Sequence, residues 1–124
     1  MTEQRPILLV EDNQLNCEML TRRLQRAGYT VVTAADGRQA LALMASERPA
    51  LVLMDMNLPV MDGWTACRTA REDERLQDIP IIALTAHAMD NDRRSALAAG
   101  CDDYATKPID FPELLNQIRR LITP

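Results

Sequence analysis

No block of basic residues occurs anywhere in these 124 residues, whose 14 Lys and Arg are outweighed by 18 Asp and Glu to a formal net charge of -4. An electrostatic footprint for gripping a phosphate backbone is missing, so autonomous binding of DNA or RNA is not expected. Cysteine is sparse too. Cys17, Cys67 and Cys101 are odd in number, far apart in sequence and without a C-x-x-C pair, which argues against a disulfide framework or a zinc site and for reduced core thiols. The opening M-T-E-Q-R-P is polar and leads straight into a short apolar run. Neither a secretory signal nor a membrane span is expected, and the reading is of a soluble, cytoplasmic protein. No internal repeat or low-complexity segment stands out, and His87 is the only histidine.

What is present is a high apolar content, 47% of residues. That suffices for one compact domain over residues 1–124 with a real core and no staples, and leaves no room for a second. The stretch Leu51 to Gly63, L-V-L-M-D-M-N-L-P-V-M-D-G, organises the rest. Four consecutive apolar residues have the length of a parallel strand buried on both faces, and the run stops on Asp55. Ligands of open parallel sheets bind outside the carboxyl ends of the strands, which is where Asp55 would stand. Taken alone, it reads equally well as a turn aspartate.

The pattern recurs along the chain. Ile7 to Val10 is a strand-length run ending on Glu11 and Asp12, and Asp12 or Asn13 can cap a helix carrying Cys17, Leu20, Leu24 and Ala27 on one face, stopped by Gly28. Tyr29 to Ala34 holds the β-branched run T-V-V-T, and Asp36-Gly37 opens a second helix with Ala40, Leu41 and Met44, closed near Pro49. Asp62 is a good N-cap for a third helix from about Gly63 to Glu72, with Trp64 and Cys67 on one face as packing residues. Ile81 to Leu84 ends on Thr85, and a helix with a thin apolar stripe is expected from about Met89 to Ala99. Asp103 to Thr106 makes a brief fifth strand before Lys107-Pro108. Asp110 and Glu113 then form a D-x-x-E capping box ahead of a strongly amphipathic last helix.

Five strands alternating with five helices imply a doubly wound α/β domain with a mostly parallel sheet and helices on both faces; periodicity alone does not give the strand order. One edge of such a sheet would collect Glu11, Asp12, Asp55, Thr85 and Lys107. Crowded carboxylates resist ionising together unless a cation sits between them, and Mg²⁺ suits Asp12 and Asp55 with a backbone carbonyl at Asn57. A hydroxyl and an ammonium, from Thr85 and Lys107, suit the anionic oxygens of a phosphoryl group. A carboxylate can itself accept that group as an acyl phosphate, and Asp55 is the central one. Each piece alone has a plainer reading, as helix start, cap or solvent-facing lysine; it is their joint occurrence at successive strand ends that carries weight.

The motifs I-L-L-V-E-D-N, L-V-L-M-D-M-N-L-P-V-M-D-G, I-I-A-L-T-A and the late K-P occur in the order found in the receiver domain of two-component response regulators, and the chain resembles that family over essentially its whole length. The wording V-E-D-N-Q-L-N and A-L-T-A-H-A-M is most similar to receivers of hybrid kinases and phosphorelays. The resemblance implies a flavodoxin-like sheet of order 2-1-3-4-5 and phosphorylation of Asp55 by a histidine kinase or histidine phosphotransfer protein. It further implies Mg²⁺ held by Glu11, Asp12, Asp55 and the Asn57 carbonyl, and phosphoryl oxygens bound by Thr85 and Lys107. Thr85 and Tyr104 would act as the switch pair, Tyr104 turning from an exposed to a buried rotamer and altering the face of the fourth helix, fifth strand and fifth helix. The bond corresponding to Lys107-Pro108 is typically cis in that family. In that family the position of His87, with that of Asn57, tunes attack of water on the acyl phosphate, so the resemblance implies this role for them, a plain surface loop residue being the alternative for His87. Arg93, Arg94, Arg119 and Arg120 either line the output surface or are solvated helix faces. The expectation is a signalling switch rather than a turnover enzyme, without an output domain, acting through protein contact.

Two other functions fit less well. D-M-N superficially matches the D-x-D of aspartate-nucleophile phosphatases, yet Asn57 lacks the general acid that chemistry requires. A flavodoxin-like nucleotide module would need glycines in the loop after the first strand, which here reads E-D-N-Q.

Overall fold

The computed structural model describes residues 5–86, 94–95 and 97–122. In chain order the elements are β1 (Ile7–Val10), α1 (Gln14–Arg26), β2 (Val31–Ala34), α2 (Gly37–Glu47), β3 (Leu51–Asp55), α3 (Gly63–Glu72), β4 (Ile81–Thr85), β5 (Asp103–Thr106) and α4 (Phe111–Ile122). All strand pairings are parallel and the sheet order is β2-β1-β3-β4-β5. The helix expected from about Met89 lies largely outside the described residues; within them, 94–95 and 97–98 are helical and a turn follows at Gly100.

Side chains alternate across the pleat, so each central strand supplies two cores. Leu8, Val10, Val52, Met54 and Ala83 face a layer formed with Ala40 and Met44 of α2 and Ala66, Cys67 and Ala70 of α3. Ile7, Leu9, Leu51, Leu53, Ile82 and Leu84 face the opposite way, toward Leu24 of α1 and Leu114 and Ile118 of α4. Burial of each large aliphatic chain contributes about 1.5–3 kcal/mol, which explains why β1, β3 and β4 read as unbroken apolar runs. The outer strands differ. β5 is half-buried throughout, and β2 buries only Ala34 fully, because each has a neighbour on one side only.

Helix starts follow the sequence closely. Asn13 Oδ1 accepts from Asn16 N at 2.9 Å, Asp36 Oδ1 from Gln39 N at 2.9 Å, Asp62 Oδ1 from Thr65 N at 2.7 Å and Asp110 Oδ1 from Glu113 N at 3.2 Å. Each satisfies an amide that the first turn leaves without a partner. Helix ends are less regular. Gly28 takes the left-handed conformation after α1 as expected, whereas α2 closes through Arg48 with φ 48°, a residue that carries a Cβ where glycine is usual.

All three cysteines are free thiols. Cys67 and Cys101 are buried and Cys17 is half-buried against the other core, and although Cys67 and Cys101 are 34 positions apart in sequence, their sulfurs lie 3.3 Å apart. Periodicity along the chain does not register such a contact between elements.

Candidate functional site

The strand ends meet at one edge because the ladder runs one residue past each strand. Glu11 N donates to Ala34 O at 3.0 Å, Met56 N to Leu84 O at 3.1 Å and Lys107 N to Thr85 O at 2.7 Å. The register sets Asp55 beside Leu84 and Thr85 beside Thr106, so the next residue of β5's chain, Lys107, is delivered to Asp55. The Lys107-Pro108 bond is cis.

Glu11, Asp55 and Thr85 are among the few buried polar residues, at 8%, 4% and 5% exposure, while Asp12 and Asn57 are exposed. Oxygens of Glu11, Asp12 and Asp55 all lie within 4.8 Å of one another. Asp55 Oδ2 accepts from Lys107 Nζ at 2.8 Å, and Asp55 Oδ1 from Asn57 N at 2.9 Å. Glu11 Oε2 accepts from Asn13 N at 3.1 Å, and its Oε1 is 3.4 Å from Lys107 Nζ. Burial, reinforced by the charge of Asp55, holds the Glu11 carboxyl above its ordinary value despite the Asn13 N–H. Burial pulls the Lys107 ammonium down, yet its bonds and ion pairs with Asp55 and Glu11 overcome this and leave it raised.

One glycine is imposed by this arrangement. Gly63 N donates to Met56 O, and a Cβ at Gly63 would come within 2.5 Å of Asp55 O and 2.7 Å of Met56 Cα. The loop from Asp55 therefore folds back directly onto its own strand end before α3 begins. Within that loop Val60, 78% exposed, has φ 67°, a left-handed conformation that costs a β-branched residue free energy.

The cleft above these groups has a volume of about 500 Å³ and is lined by Glu11, Asp12, Asp55, Asn57, Thr85 and Lys107. Every residue that the sequence places at the strand ends thus borders one cavity. Trp64, expected from the sequence as a packing residue, does pack against the core, but it also lines the cleft. Its position directly after Gly63 was the available signal. Tyr104 is half-buried and packed against the α2–α3 core rather than exposed, with its carbonyl accepting from Gln117 Nε2 at 2.8 Å. His87 and Arg93 lie outside the described residues. Arg94, Arg119 and Arg120 are exposed, Arg120 standing 3.7 Å from Asp103 Oδ2.

Three carboxylates converging on one point with an ammonium beside them form a donor set that fits a small hard cation together with an anionic ligand. A second groove of about 340 Å³ adjoins the cleft, sharing Glu11, Asn16 and Lys107 and continuing along Met19, Leu20 and Ile109. Met19 of α1, which lines this groove, is 50% exposed, and Leu15, one helical turn before it, is 65% exposed. No helix among the described residues is long and apolar enough to cross a membrane.

Comparison with known proteins agrees with this geometry. The family model for the response regulator receiver domain matches residues 7–119. The chain is 39% identical over 116 residues to the DNA-binding dual master transcriptional regulator RpaA of Synechocystis sp., covering 94% of this chain but only 48% of that protein. It is 35% identical to the polar-differentiation response regulator DivK of Brucella anthropi, covering 93% of this chain and 94% of that one. Among solved structures, the receiver domain of the sensor histidine kinase PA1611 from Pseudomonas aeruginosa, with magnesium coordinated in its active site cleft, superposes with TM-score 0.90 at 42% identity, covering 98% of this chain and 100% of that one. The receiver domain of Saccharomyces cerevisiae Ssk1, solved with the histidine phosphotransfer protein Ypd1, gives TM-score 0.89 at 30% identity over 95% and 88% of the two chains.

Proposed function

The chain belongs to the response regulator receiver domain family, and from that premise we propose that it is the phosphoacceptor of a two-component or phosphorelay pathway, receiving a phosphoryl group on Asp55. The observation that carries this is the 2.8 Å approach of Lys107 Nζ to a buried Asp55 that shares its cleft with two further carboxylates. An Asp55 oxygen attacks the phosphorus of a phosphohistidine; the O–P bond forms as the P–N bond breaks, and the imidazole nitrogen leaves with its electron pair. Lys107 and the Thr85 hydroxyl receive the phosphoryl oxygens. Lys107 already neutralises part of the charge that would repel an incoming anion.

Glu11, Asp12 and Asp55, with the carbonyl of Asn57, are the groups that would hold Mg²⁺. When bound, it supplies the remaining neutralisation of charge between carboxylates and phosphoryl oxygens. Asn57, with His87, tunes the later attack of water on the acyl phosphate. The chain catalyses only its own phosphorylation and dephosphorylation, so it is a switch rather than a turnover enzyme. Such a chain acts in the cytoplasm, the compartment that supplies ATP to histidine kinases.

Thr85 and Tyr104 transmit the event. Thr85 drawn toward new oxygens makes room for Tyr104 to move inward from its half-buried position, changing the face built by helical residues 94–95 and 97–98, β5 and α4. Partners that prefer the changed face favour phosphorylation by the same coupling free energy. The phosphodonor docks on the side of α1, where exposed Met19 lines the groove that opens onto Lys107 and exposed Leu15 lies one helical turn before it. Incubation with a panel of phosphorylated histidine kinases and histidine phosphotransfer proteins tests the reading. Transfer to the chain that is abolished in Asp55→Asn supports it, and equal transfer to that variant would overturn it.

A further inference from the structure

Cys67 and Cys101 have no part in the phosphoryl site, yet they are placed as a pair. Cys67 sits in the middle of α3 and Cys101 two residues before β5, both buried and both free thiols, with Sγ atoms 3.3 Å apart. A disulfide bond is about 2.05 Å long, so the sulfurs need to close by only roughly 1.2 Å. The approach is fixed from both sides by one residue. Arg71, one helical turn beyond Cys67, donates from Nε to Gly100 O at 2.7 Å and from its terminal nitrogen to Asp102 Oδ2 at 2.7 Å. The two neighbours of Cys101 are thereby clamped to the helix that carries Cys67. Further bonds from Arg71 to Gln77 O and Ile79 O hold the guanidinium in place.

We propose that Cys67 and Cys101 are a redox modification site, a dithiol that a small hydroperoxide converts reversibly to an intrachain disulfide. The two thiols share a hydrogen bond in which either sulfur can be the donor; that bond and the nearby Arg71 charge hold the Cys67 thiol below its ordinary value in spite of burial, which favours Cys67 as the attacking thiolate. Its thiolate attacks the peroxide, giving a sulfenic acid and hydroxide; the Cys101 thiol then displaces water as the S–S bond forms. The balance is two thiols and one hydroperoxide giving one disulfide and two waters, or one water and an alcohol for an alkyl peroxide. Exchange with a thiol reductant restores the dithiol. The bond would tie α3 to the strand that carries Tyr104 and leads to Lys107. Cys17 packs with the opposite core, away from the pair, and serves as an internal control.

The test treats the fully reduced chain with hydrogen peroxide, quenches, denatures and alkylates it, and reads the product by mass spectrometry with peptide mapping. The expected product carries one alkyl group instead of three, on Cys17, and yields a Cys67 peptide joined to a Cys101 peptide. A thiol reductant returns all three sites. Cys17→Ser should retain the crosslink, a check that does not depend on altering the packed pair. Three alkylated thiols after an exposure that fully oxidises a free low-molecular-weight thiol would overturn the proposal, as would overoxidation of Cys67 or Cys101 without a crosslink or an intermolecular bridge through Cys17.

Discussion

Lys107 and Asp55, far apart in the sequence, form a 2.8 Å ion pair at the mouth of the cleft, and the same ammonium lies 3.4 Å from Glu11. One cation thus compensates two buried carboxylates. Because the pairing raises the Lys107 value, its contribution to stability is fully present below the ordinary lysine range and is lost as pH rises through the raised folded value.

Replacing Lys107 by Met leaves Glu11 and Asp55 confronting each other. Breaking a buried pair costs about 3–5 kcal/mol, and the partial exposure of Lys107 reduces this to about 1–3 kcal/mol. Thermal melts should show that loss without Mg²⁺ and a larger recovery on adding Mg²⁺ than in the parent chain. Phosphorylation should slow about 100-fold, the usual consequence of removing one oriented donor.

Glu11 gives the opposite pH dependence to an ordinary ion-paired acid. Its folded value is raised, chiefly by burial, so the folded chain holds this proton more tightly than the unfolded one. The associated stability is present below the ordinary glutamate value and lost as pH rises through the folded value. Glu11→Gln should therefore melt above the metal-free parent at neutral pH, by about 3–6 °C for a gain near 1 kcal/mol. The gap should close in acid, and the variant should lose most of its response to Mg²⁺.

The proposed docking of the donor on α1 can be separated from the chemistry. Met19→Asp or Leu15→Asp should slow transfer from a phosphohistidine protein about 30-fold, a loss of about 2 kcal/mol typical of an interface anchor. Labelling by acetyl phosphate should stay at the parent rate.

Val60 holds a left-handed backbone with its side chain in solvent. Val60→Gly should release the strain and raise stability by about 0.5–1 kcal/mol in denaturant titration, the relief outweighing the added freedom of the unfolded chain.

Much of this was legible because the sheet is parallel and covered on both faces. β1, β3 and β4 announce themselves as continuous apolar runs, and a polar residue stands out at the end of each: Glu11, Asp55 and Thr85. The caps Asn13, Asp36, Asp62 and Asp110 are local and were readable for the same reason. Strand order came from family resemblance, since periodicity carries no information on which strands are neighbours. The half-burial of β2 and β5 follows from that order and was equally hidden. Arg48 and Val60 at positive φ escaped notice because tertiary packing overrides the glycine rule there. The contact of Cys67 with Cys101 depends on how α3 packs against the chain entering β5, which no window of sequence contains.

The central claim, that Asp55 is the phosphoacceptor, is tested most directly by intact-mass measurement after incubation with acetyl phosphate and Mg²⁺. The account predicts one added phosphoryl group, removed by hydroxylamine and absent from Asp55→Asn. A phosphoryl group retained by that variant, or a parent chain that never acquires one, would contradict it.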